Sequence, residues 1–199
     1  MNFILKSLLF FLPMFCLSCT NRVDKYEIGV SQCSQDEWRE KQNREMLLES
    51  SFYDNIELEI LSVNDDNAKQ ISDIESFIDK KKDLIVVSPN EASAITPVVD
   101  KAYDAGIPIL VIDRKINSEK YTAFIGADNF KIGQMIGEYV KMLSVGRGKF
   151  RLFEIAGLRG STPAMERSQG LHSVINGIDN IELVGKIEGN WKMDLAQSL

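Results

Sequence analysis

Seven side chains have the types and placement to hold a polyhydroxylated small molecule: Ser31, Gln35, Trp38, Asp113, Arg114, Arg167 and Trp191. A sugar offers hydroxyls that donate and accept together, and C–H faces that are weakly apolar. Aspartate supplies paired acceptors and arginine a forked set of donors, and charge-assisted hydrogen bonds offset the desolvation of a buried polyol. An indole supplies a flat face for stacking and an N–H for one hydrogen bond. Trp38 and Trp191 are the only two tryptophans of the chain. The same residues have plainer readings. Asp113-Arg114 also suits a strand-end ion pair, Trp38 a core position, and Arg167 a solvated place in the charged stretch from Met165 to Gln169.

Catalysis has less support. His172, the sole histidine, has no nucleophile or metal ligand at useful spacing and suits a surface or core-edge role. No G-x-S-x-G elbow, Gly-rich dinucleotide fingerprint or His-x-x-x-His pair occurs, so neither an enzyme nor a cofactor or metal is expected. The net charge of -6 is spread along the chain without a basic patch, which argues against nucleic acid as a partner.

These residues need a scaffold that brings them to one place. From Tyr26 onward short apolar runs alternate with helical patterns, the mark of repeated βαβ units around a parallel sheet. Strands are predicted at Tyr26–Ser31, Ile56–Val63, Leu84–Val87, Ile109–Ile112, Ala123–Gly126, Lys149–Ile155 and Ile181–Glu188. Ser34 and Glu37 have capping-box spacing and predict a first helix running to about Phe52. Ala68, Ile71, Ile74 and Ile78 give the second helix an apolar face. Thr96-Pro97 and Gly106-Ile107-Pro108 bracket the third. Ile132, Met135, Ile136, Tyr139, Val140 and Leu143 define the fourth, ended by Gly146-Arg147-Gly148. Thr162-Pro163 opens the fifth, through about Asn176, and a sixth begins near Lys192. In open parallel sheets ligands bind outside the carboxyl ends of the strands, and each candidate residue follows a predicted strand.

The N-terminus reads differently. Lys6, an apolar run from Leu8 to Leu17 and small residues before Cys19 have the order of a secretory signal, so export is expected. The run is shorter than the roughly 20 residues that span a bilayer, and Pro13 interrupts it. An uncleaved anchor is the alternative. Leu17-Ser18-Cys19 also resembles, imperfectly, a lipoprotein signal with Cys19 as the lipidation site. Cys33 is then the one cysteine of the folded body and suits a small packed residue.

Four stretches carry a family resemblance: IGVSQCS, VSPNEASAITPVVDKAYDAGIPILVIDRK, FIGADNFKIGQMIGEYV and GLRGSTPAMERSQGL. Together they resemble the type I periplasmic binding proteins, the ribose-binding and LacI-like family, from Tyr26 to about Leu199. The resemblance implies that Asp113 and Arg114 bind sugar hydroxyls, that Arg167 is a ligand from a second lobe, and that Trp191 stacks there. Ser31, Gln35 and Trp38 match first-lobe ligand positions. Asp36-Glu37-Trp38 departs from the ribose-binding pattern, which has a proline and two phenylalanines. The string GVSQCSQDEWREKQNRE is most similar to the sensor domains of Bacteroides-type hybrid two-component histidine kinases.

The expectation is an α/β chain of Rossmann-like parallel sheets in two lobes, the second truncated. Residues 1–19 would be a signal peptide, 20–126 the first lobe and 127–199 part of the second. Its cleft would bind a monosaccharide or small oligosaccharide in the periplasm, with membrane association through the N-terminus or a further segment, and with a kinase or a permease as partner. Asp113→Ala is expected to abolish binding and leave the fold intact, with Arg114 holding the Asp113 carboxylate.

Overall fold

The computed structural model describes residues 24–198, so the expected signal, residues 1–19, and the candidate lipidation site Cys19 lie outside the described residues. Strands β1 (Tyr26–Gln32), β2 (Ile56–Ser62), β3 (Leu84–Val87), β4 (Ile109–Ile112) and β5 (Ala123–Ile125) form one parallel sheet in the order β2-β1-β3-β4-β5. Strands β6 (Phe150–Ala156) and β7 (Ile181–Glu188) form a second parallel pair. Between them run α1 (Glu37–Ser50), α2 (Asn67–Asp79), α3 (Ala92–Asp104), α4 (Asn129–Ser144) and α5 (Thr162–Ile175), and α6 (Met193–Ser198) follows β7.

The register aligns the carboxyl ends. Val30 lies opposite Ile60 and Val86, and Val87 lies opposite Val111. Every loop leaving β1, β3 and β4 therefore emerges on one edge. Side chains alternate across the pleat. Ile85, Val87, Ile109 and Val111 face α2 and α3, where Ile74, Phe77, Ile95 and Val99 complete the main core. Val30, Val86 and Ile112 point to the other face, beside Met46 of α1. Gly29 is required here, because a Cβ would stand 2.6 Å from the Phe77 ring. The second pair packs Phe150, Leu152 and Ile181 against Val140 of α4 and Leu171 and Ile175 of α5.

Two helix starts differ from the sequence reading. The cap of α1 is Asp36, whose side chain accepts the Arg39 N–H at 3.0 Å. Ser34 donates to the Asp36 carboxylate at 2.6 Å and supports the cap instead of forming it. Helix α3 begins at Ala92, not at Thr96-Pro97. Its buried face starts with Ala92 and Ile95, so packing on the sheet draws in another turn and carries Pro97 inside the helix. The Thr96 hydroxyl donates to the Ala92 carbonyl. The cost of a proline within a helix is set against that burial.

Helices α4 and α5 touch backbone to backbone. A Cβ on Gly133 would meet the Arg167 carbonyl oxygen at 2.1 Å, and one on Gly170 would meet that of Phe130 at 2.1 Å. This contact fixes the position of α5, which carries Arg167. Among the described residues no helix is long and apolar enough to cross a membrane.

Candidate functional site

A pocket of 380 Å³ opens between the two sheets at the carboxyl ends of their strands. The start of α1 contributes Asp36, Trp38 and Arg39, and the loop after β4 contributes Asp113 and Arg114. From the other side come Pro163 and Arg167 of α5, and Trp191 after β7. The volume lies in the range of small-molecule sites, about 300–1,000 Å³. Five of the seven candidate residues, Trp38, Asp113, Arg114, Arg167 and Trp191, line it.

Asp113 directly follows β4 in the left-handed region, φ 61°, an uncommon conformation for a residue other than glycine. Its N–H is held by the Ile125 carbonyl at 2.7 Å. Its carboxylate pairs with the Arg39 guanidinium. The Arg39 side chain is only 3% exposed and also donates to Gln42 Oε1 at 3.1 Å. Arg114 does not hold Asp113. Its Nη1 donates to the Asn90 carbonyl at 3.0 Å. The left-handed backbone at Asp113 breaks the extended course of the strand, and the two neighbours have different partners.

The opposite wall is built alike. Asn129 accepts a hydrogen bond from Arg167 Nε at 2.9 Å, which fixes the stem and leaves the outer nitrogens of the guanidinium for other partners. The guanidinium lies 5.7 Å from the Trp191 ring centre, within cation–π range. Asn190 and Trp191 are both left-handed, with φ 51° and 61°. This turn lays the indole on Gly157, where a Cβ would stand 2.2 Å from the ring. Trp38 faces it from α1 and is 68% exposed, so it is not core.

Ser31 and Gln35 are elsewhere. Ser31 is buried, and its hydroxyl accepts from Gln70 Nε2 at 3.2 Å in a network beneath the pocket. Gln35 Nε2 donates to the Ser62 carbonyl at 3.0 Å, away from the pocket. Sequence reasoning missed Asp36 and Arg39. The available signal was their place in the turn that carries Trp38, Asp36 two residues before it and Arg39 one after. Burial pushes the Asp36 carboxyl up. The Ser34 hydroxyl, the N–H groups of Arg39 and Trp38 and the Arg39 charge outweigh that and hold it below its usual value. Cys33 is buried with Sγ 3.6 Å from the Ser88 hydroxyl, a packing role. His172 Nε2 meets Glu154 at 3.0 Å on the core edge of the second sheet.

A family model described as a periplasmic binding protein domain matches residues 30–199. The chain belongs to that family. Ribose import binding protein RbsB of Bacillus subtilis is 30% identical over 58% of this chain and 37% of that protein. The D-ribose/D-allose-binding protein of Pseudomonas aeruginosa is 31% identical over 67% of this chain and 43% of that protein. The chain thus spans less than half the length of these curated relatives. Among solved structures, the fructose binding periplasmic domain of a hybrid two-component system superposes with a TM-score of 0.80 at 47% identity, covering 87% of this chain and 57% of that one. A galactofuranose binding protein superposes with a TM-score of 0.75 at 27% identity, over 83% of this chain and 56% of that one. The α/β fold read from the sequence is the type I fold of these proteins. They are binding proteins by name, not enzymes.

Proposed function

We propose that this chain is the sugar-receiving part of an exported sensor and that it closes around a furanose-form monosaccharide, with fructose as the leading candidate. One observation carries the reading: a single pocket brings two aspartates, three guanidinium groups and two indoles together from both sheets. In this reading residues 20–126 and 127–199 belong to two lobes. Trp38 and Trp191 stack on the ring, the free Asp113 oxygen accepts from hydroxyls, and Arg114 and Arg167 donate. Arg39 holds Asp113 in place. A ligand shifts an open and closed equilibrium only by its differential affinity, which contacts from both lobes supply.

Fructose is favoured by the 47% identity to a fructose binding domain, and a furanose form by neighbours described with galactofuranose and fucofuranose. The same neighbour supports the sensor role, in which closure is passed to a kinase. A second reading, a solute-binding protein that delivers sugar to a permease, is supported by the import proteins among the relatives. Residues 1–19 fit a signal, with Cys19 as lipid anchor point, in either reading. Calorimetric titration of the full chain with fructose, ribose, arabinose and galactose tests the site. Fructose is expected to bind at least about tenfold tighter than the others. No heat with any sugar would overturn the proposal.

A further inference from the structure

The two sheets are joined beside the pocket by groups that line none of it. The N-terminal turn of α5 abuts the loops after β3 and β4. There Ala92 N–H faces the Gly160 carbonyl at 3.4 Å, and Lys115 N–H donates to Thr162 Oγ1 at 2.8 Å. Lys115 Nζ reaches Glu166 Oε1 at 2.6 Å and lies 5.8 Å from the centre of the Phe124 ring. A looser pair, Lys192 with Asp65 at 3.5 Å, also runs between the sheets.

Three of these residues are next-door neighbours of pocket residues: Lys115 follows Arg114, Glu166 precedes Arg167, and Lys192 follows Trp191. Whatever brings Arg114 and Arg167 around one ligand therefore brings Lys115 and Glu166 together. The two pairs are not equal. Lys192 and Asp65 are more exposed and farther apart, and such pairs contribute little. The Glu166 side chain is only 21% exposed, and its Oε2 is shielded from solvent with no hydrogen-bond partner among the described residues. Among the described residues Lys115 is thus the one cation paired with this carboxylate to offset its desolvation, and it does so only while the sheets are apposed.

We infer that Lys115 and Glu166 form a clasp that sets sugar affinity without touching the sugar, by stabilising the closed arrangement. This rests on the sugar-binding reading above. A population shift converts directly into apparent affinity, because the ligand no longer works against opening. The clasp makes the closed fraction sensitive to salt, since the Lys115 side chain is 44% exposed.

The test is a double-mutant cycle in the full chain with Lys115→Met, Glu166→Gln and both, read by fructose titration and, at dilutions where sedimentation shows a monomer, by X-ray scattering without sugar. Each single change is expected to weaken binding about tenfold, the size of one charge-assisted hydrogen bond, and the double change no more than either alone. The sugar-free radius of gyration should rise in each variant. The charge-reversed pair, Lys115→Glu with Glu166→Lys, should recover both values and so separate the clasp from a folding defect. Affinities within about twofold of the parent, with unchanged scattering, would overturn the clasp. If the parent binds no sugar, the proposed function fails on its own, and the scattering comparison still decides the clasp.

Discussion

Asp113 carries more of this molecule than its sequence neighbours announce. The dipeptide Asp113-Arg114 is legible in the sequence as a candidate because it leaves a strand at the carboxyl edge of a parallel sheet, and both residues line the pocket. Its true partner was not legible, since Arg39 lies 74 positions away and reaches Asp113 only through folding. This changes the outcome expected for Asp113→Ala. Loss of the carboxylate leaves the buried Arg39 charge without its counter-ion, so stability falls along with affinity. The cost is about 2 kcal/mol, below the usual figure for a buried pair because the Asp113 side chain is 36% exposed. Binding of fructose should weaken at least about a hundredfold, from the loss of hydrogen bonds to a charged acceptor. Asp113→Gly separates the two effects. Glycine accepts φ 61° without strain, so this variant should melt above Asp113→Ala and still fail to bind. Equal melting temperatures for the two variants would show that the backbone is relaxed there. Unchanged fructose affinity in either would remove Asp113 from the site.

At the level of elements, strands were easier to read than helix starts. Every predicted strand is present, because short β-branched runs between turn signals have few other uses in a chain of this size. Helix starts depend on which of several polar side chains wins the free N–H groups. At α1, Ser34 and Asp36 both qualify by type, and Asp36 stands at the distance that reaches Arg39 N–H. Replacing Asp36 with Ala should cost about 1 kcal/mol at neutral pH in denaturant titrations. The pH dependence has a definite sign. The folded-state pKa of Asp36 lies below its ordinary value of 3.8, so the carboxylate contributes its full stabilisation above that value. The contribution disappears as pH falls through the depressed value. The stability gap between parent and Asp36→Ala should therefore be constant from pH 7 down to about 5 and narrow below about 4. A gap that stays constant to pH 2 would mean that the charge plays no part in the cap.

On the scale of the whole molecule, each sheet buries one face well and leaves another partly open. The outer face of β6 shows Phe153 and Ile155, both more than half exposed. The face of the first sheet beside α1 has an apolar groove floored by Ile28, Val30, Leu84 and Val86. Surfaces of this kind drive association. Residues 24–198 prepared alone should self-associate and bind a hydrophobic dye, read by sedimentation and dye fluorescence. A monomer that unfolds in one cooperative step and ignores the dye would show that these faces are tolerated. The pocket, by contrast, draws in both indoles of the chain and no other tryptophan exists to dilute them. The tryptophan emission of this chain therefore comes entirely from its pocket, and Arg167 beside Trp191 makes one of the two indoles sensitive to any charge rearrangement there. The molecule carries its own optical gauge of occupancy, readable without a label.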